Sequence, residues 1–335
     1  MKTFSKGKTV LIFLLLFAVI ITLDVIFFDD NYYEGMFFKM DTDIVIRGEG
    51  NNMDLATRDI LKMIDNLDAN MNASNVNGNL YKLNNEGGTV SFDSDTIKVL
   101  EVAEDIKIKS NGAFNVAIRP LVELWGFNGN YRKVPTDTDI ADTLSVIAST
   151  QIKREGNKVS ITPKGKIDLS GIAKGYASDK ASEILKEYDV DFAILDFGGN
   201  IMTYGQKPDG SPFKISIDDG KEGVFATLSI KSGAVITSGE YQRYFEENGK
   251  KYHHILDPKT GFPAENGLVS VTILSDSGVL ADALSTACFV LGAEDGINLA
   301  KDCQVKAVLL DKNKNVYTVG NPEITLAEGY KLTEK

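Results

Sequence analysis

The chain has 335 residues, 43% of them hydrophobic and 25% charged, with a formal net charge of −11. That length supports one large domain or two lobes with a sizeable core, and the composition is that of a globular protein. The acidic balance excludes a general nucleic-acid role, because phosphate backbones need a basic surface, yet it allows a phosphate ligand where a metal ion intervenes.

Lys2, Lys6 and Lys8 precede an apolar run over residues 10–28, and Asp29, Asp30 and Glu34 follow it. At about 1.5 Å per residue the run just crosses a hydrocarbon core of about 30 Å. The flanking charges put the N-terminus inside and the rest outside. The expectation is an uncleaved signal anchor in a single-pass protein of the cell membrane, with a cleaved signal peptide as the alternative. Residues 1–9 are then cytoplasmic, 10–28 the transmembrane helix, 29–36 a linker and 37–335 an extracytoplasmic domain.

Residues 37–48 alternate around Ile44 and Ile46 and read as a strand. Leu55, Ile60, Ile64 and Leu67 recur at helical spacing over 54–67. Residues 70–85 are rich in Asn and Gly and read as a loop. Helices are expected over 93–109, capped by Ser94 or Asp95 and ended at Asn111-Gly112, and over 137–148. From Lys158 onward, strands are expected at 159–162, 192–196, 213–217, 225–230, 234–237, 252–255 and 268–274, with helices at 172–188 and 279–291. Strand hairpins with segregated helices give an α+β fold with mixed or antiparallel sheets, not a doubly wound parallel one. Cys288 and Cys303 fit no metal-ligand spacing. They read as buried thiols, with a bridge between them as the alternative.

The sequence holds no Gly-x4-Gly-Lys-Ser/Thr phosphate loop and no Gly-x-Ser-x-Gly nucleophile elbow. Four other strings carry candidate chemistry. Asp168-Leu169-Ser170-Gly171 leads into a helix start, where exposed amides bind phosphate and Lys174 adds charge; a capped helix is the plainer reading. The glycines of Asp196-Phe197-Gly198-Gly199-Asn200 suit either close approach to a ligand or a tight turn. His253 and His254, the only histidines, would face opposite sides of a strand, so a zinc pair is disfavoured and one of them can point into a cleft. The rigid turn Asp257-Pro258-Lys259-Thr260-Gly261 follows them. On the last helix Asp282, Ser285 and Thr286 share one face, and a carboxylate with hydroxyl oxygens suits a hard cation such as Mg²⁺.

Together these strings resemble the FAD:protein FMN transferase (ApbE) family over roughly residues 40–291, including Gly112-Ala113-Phe114-Asn115 and Pro120-Leu121-Val122-Glu123-Leu124-Trp125-Gly126-Phe127. The resemblance implies two lobes around a flavin cleft. It implies Mg²⁺ on the FAD pyrophosphate, held by Asp282 and Thr286 with Ser285 nearby and the Gly171 carbonyl as a further ligand. Contacts to FAD would map to Met40, Ser74, Ala113, Phe114, Asn115, Asp168, Lys174 and Leu256. The chain departs from the family where Met-Gly-Thr reads Met40-Asp41-Thr42, where Ala-Phe-Asp ends in Asn115, and where Ser74 replaces an aromatic that often stacks on the isoalloxazine. The implied reaction is transfer of FMN from FAD onto a Ser or Thr hydroxyl of an exported or membrane redox protein, releasing AMP. His254 is the candidate base for that hydroxyl, and Asp257 shapes its turn. Hydrolysis of FAD to FMN and AMP is a second reading, and a non-catalytic flavin carrier a third.

Overall fold

Alternating apolar residues build a central nine-stranded sheet. The computed structural model describes residues 32–129 and 131–334, so the expected cytoplasmic segment and signal anchor lie outside the described residues. Among the described residues no helix is long and apolar enough to cross a membrane. The strands are Tyr32–Lys39 (β1), Thr42–Glu49 (β2), Phe192–Phe197 (β3), Asn200–Gly205 (β4), Gly233–Gly239 (β5), Leu268–Ser275 (β6), Lys306–Asp311 (β7), Asn315–Val319 (β8) and Lys331–Leu332 (β9). They lie side by side in chain order, and neighbours are antiparallel except β8 and β9. The expected α+β class with antiparallel pairing is therefore what forms.

The connections of this meander hold the helices. Met53–Met71 (α1), Asn79–Asn85 (α2), Ser94–Lys109 (α3), Arg119–Trp125 (α4), Asp137–Ser149 (α5) and Ala173–Glu187 (α6) fall between β2 and β3, and Gly278–Asp302 (α7) falls between β6 and β7. One sheet face presents Ile46, Leu195, Phe197, Ile236 and Ile273 to a core shared with α1, α6 and α7. The other face presents Ile194, Val235, Val308 and Leu310 to Phe213, Phe225 and Leu228 of a separate three-stranded sheet. With both faces covered, β6 is buried along nearly its whole length. A smaller cluster forms around Trp125 from α4, α5 and the hairpin of Tyr244–Glu247 with Lys250–His253.

Five expectations are corrected. Residues 37–48 are not one strand: β1 turns into β2 at Met40 and Asp41, both in the left-handed region at φ 52° and 57°. That pair of positive φ values fits a tight hairpin turn, but it lacks the Asn-Gly signature that would have announced it. Because β1 starts at Tyr32, the expected linker already includes strand. Residues 70–85 are only partly loop. In α2, Leu80 and Leu83 are buried, and Asn84 exchanges two hydrogen bonds of 2.8 Å with the Ile167 backbone. Burial overrode a polar composition there. The strand expected at 252–255 ends at His253, which leaves His254 beyond it. The helix expected to end at Leu291 does break there, at Gly292 with φ 81°, but helical structure resumes to Asp302. Asn266 spans the break, its amide donating to the carbonyls of Phe289 (2.5 Å) and Val290 (3.3 Å). Cys288 and Cys303 are free thiols.

Candidate active site

In an antiparallel meander, alternate connections leave from the same end of the sheet. The β1–β2 turn, the β3–β4 turn and the long β5–β6 connection therefore share one end. Arg243, from the β5–β6 connection, donates from its guanidinium to the Asp41 carbonyl at 3.2 Å and joins two of them. Gly198 and Gly199, at φ 67° and 92°, form the β3–β4 turn, and Gly199 N–H donates to Asp196 at 2.7 Å. That string thus forms a tight turn.

The metal-type residues are set by a close helix crossing. A side-chain carbon on Gly175 would lie 2.2 Å from the Gly278 carbonyl oxygen and 2.6 Å from Asp282 Cβ, so only glycine lets α6 and α7 touch there. The contact brings Gly175 N–H to Asp282 Oδ2 at 2.8 Å. An amide at the start of α6 is thus committed to Asp282. Asp179 of α6 in turn accepts from the Gly278 (2.5 Å) and Val279 (2.9 Å) amides at the start of α7. Asp282 is only 5% exposed, and burial raises its pKa above the ordinary carboxylate value. Lys174 and the Gly175 amide oppose that rise, and Asn200 approaches without reaching ordinary hydrogen-bond geometry. A buried carboxylate so weakly compensated favours a cation beside it. Ser285 donates to the Asp282 carbonyl at 2.9 Å and shares a 2.8 Å contact with Ser238, whose hydroxyl also meets Thr286 at 3.2 Å. Gly171 faces Thr286: a side-chain carbon built on it would sit 3.9 Å from Thr286 Oγ1.

One cleft collects most of the expected residues. Met40, Ser74, Ala113, Phe114, Asn115 and Asp168 line it, as do Gly171, Lys174, His254, Leu256 and Thr286. Asp282 and Ser285 lie behind its wall, and Asp257 lies in the turn, where its carboxylate accepts from Lys259 N–H at 2.8 Å. That turn is fixed by Trp125, whose indole N–H donates to the Gly261 carbonyl at 2.8 Å. Gly261 has φ 78° and no room for a side chain against Ile140.

The two histidines separate, His253 at the end of its strand and His254 just beyond it. His253 is buried, with Nε2 3.2 Å from the Ala264 carbonyl and its ring edge-on to Phe289. His254 faces the cleft, its ring edge-on to Phe127, and Nδ1 lies 3.1 Å from the Arg243 carbonyl. A carbonyl only accepts, so Nδ1 carries the proton and Nε2 keeps its lone pair. The ring retains some exposed surface but sits deep in the cleft. Burial first, then the Arg243 guanidinium, pushes its pKa down to about 3. Burial also lowers Lys174, with Asp282 partly offsetting it. Arg119, Arg243 and Ser238 line the cleft and carried no motif signal in the sequence.

A sequence model of the ApbE family matches residues 40–309. The chain is 33% identical over 237 residues to the FAD:protein FMN transferase of Haemophilus influenzae, covering 68% of each chain. It is 30% identical over 298 residues to that of Klebsiella pneumoniae, covering 86% of this chain and 92% of the relative. The crystal structure of the ApbE protein of Thermotoga maritima superposes with a TM-score of 0.78 at 32% identity, covering 89% of this chain and 97% of that one.

Proposed function

This chain belongs to the ApbE family, and from that premise we infer that it is an FAD:protein FMN transferase, an enzyme that moves FMN from FAD onto an acceptor protein. The observation that carries this reading to particular residues is the single cleft in which Lys174, Arg243 and His254 face Thr286 in front of the buried Asp282.

The acceptor group is proposed to be a Ser or Thr hydroxyl. Its oxygen bonds to the FMN phosphorus, the bridging P–O bond to AMP breaks, and AMP leaves. Lys174 and Arg243 bind the pyrophosphate oxygens. His254 Nε2 takes the hydroxyl proton, while the bond from Nδ1 to Arg243 keeps that tautomer in place. The donor set suits Mg²⁺: Asp282 and Thr286 would hold it with the Gly171 carbonyl, and Ser285 and Ser238 would orient Thr286. When bound, the ion would offset charge developing on the pyrophosphate. The apolar run at 10–28 supports an extracytoplasmic, membrane-anchored enzyme whose acceptors are exported or membrane redox proteins.

The full chain in detergent, incubated with FAD, Mg²⁺ and an acceptor domain, is expected to give covalent flavin fluorescence on the acceptor with stoichiometric AMP. Free FMN with AMP would instead mean hydrolysis, and unchanged FAD a carrier. A second expected outcome concerns pH. With its pKa near 3, His254 stays unprotonated through the neutral range, so it imposes no acid limb on kcat/KM between pH 8 and 5. A limb at about 6.5 that disappears in His254→Asn would show an ordinary histidine and refute this environment.

A further inference from the structure

Arg119 opens α4, is 6% exposed and lines the cleft. Its Nε donates to Glu123 at 3.0 Å, Nη1 to Asp168 at 3.0 Å and Nη2 to Ser74 at 3.1 Å. Lys166 occupies the other oxygen of Glu123 at 2.8 Å. One guanidinium thus ties the segment after α1 to α4 and to the approach to α6. A guanidinium carries five N–H donors. Three are used, so each terminal nitrogen keeps one, and among the described residues no further acceptor meets them. Donors left unpaired in a buried position are costly unless a ligand completes them. The charges here also cancel: Arg119 and Lys166 against Asp168 and Glu123. Such a network has no net field to hold a phosphate and offers directed N–H groups in one plane instead.

We propose that Arg119 is an FAD-binding residue whose two free N–H groups meet the acceptor edge of one of the dinucleotide's planar rings, while its other bonds hold Asp168 and Ser74 in position. The dione edge of the flavin and the nitrogen edge of adenine both present such acceptors. The proposal rests on the reading of this cleft as the FAD site.

The test is binding of FAD, FMN and ADP to the full chain as wild type, Arg119→Lys and Arg119→Gln, with steady-state transfer kinetics alongside. Lysine keeps the charge but cannot bridge three partners in a plane. Both variants are expected to weaken FAD binding about tenfold or more. The KM for FAD should rise in step, with kcat at saturating FAD within a few-fold of wild type. Weakened FMN with unchanged ADP assigns the flavin edge, and the converse assigns adenine. FAD affinity unchanged in both variants, or a loss confined to kcat, overturns the proposal. Should both variants fail to fold, Ser74→Ala takes their place. It alters an exposed residue and removes one of the bonds aiming the guanidinium. An unchanged FAD affinity there overturns the proposal equally. A wild-type chain that binds no FAD would instead overturn the reading of the cleft.

Discussion

Asp282→Asn is expected to lower FMN transfer by about a thousandfold while leaving the fold in place. The amide oxygen can still accept the 2.8 Å bond from Gly175 N–H, so the crossing of α6 and α7 keeps its link. What disappears is the negative charge. A metal's stabilisation of developing charge is worth several kcal/mol, and each 1.36 kcal/mol is tenfold in rate. Asp282→Ala should lose at least as much activity, and stability too, because it empties a buried position and strands the Gly175 donor. The measurement is AMP release with covalent flavin formation over a Mg²⁺ titration, alongside a thermal melt. Wild-type turnover by a folded Asp282→Asn protein would remove the carboxylate from the mechanism.

Gly175→Ala is expected to damage the same site from the other helix. The added methyl would lie 2.2 Å from the Gly278 carbonyl oxygen, a backbone atom that no rotamer change can move. The helices must separate, which costs on the order of 3 kcal/mol and lowers the melting midpoint by roughly 5 °C or more. Separation also pulls Asp282 off the Gly175 amide and shifts Thr286, so transfer should fall steeply even at temperatures where the variant is folded. An alanine variant that melts and turns over like wild type would mean the crossing is looser than its geometry implies.

These two predictions differ in how much of them was legible in the sequence. Asp282, Ser285 and Thr286 stood out because helical spacing puts them on one face, a property of the local chain. Gly175 read only as a helix residue. Its partner lies 107 residues away, and nothing local reports that. Arg119 was hidden for the same reason: beside Pro120 it looks like a helix start, and its buried bond to Asp168 spans 49 residues. The Met40–Asp41 turn escaped because its backbone is held left-handed by the strands it joins, not by glycine. The histidine pair was legible in part. Adjacency on a strand argued against both facing one site, but which of them enters the cleft was not readable: His253 ends its strand buried, and His254 reaches the cleft from just beyond it.

By itself, then, the sequence determined the α+β class, the positions of most strands and helices, and the residue types available for phosphate chemistry. These follow from periodicity, caps and turn residues, which act over a few positions of chain. Only the tertiary structure decided that Lys174, His254, Arg243 and Thr286 share one cleft, that Asp282 is held from α6, and that His254 is neutral. Desolvation and charge at a site are sums over groups brought together from distant segments, so they exist only once the chain has packed.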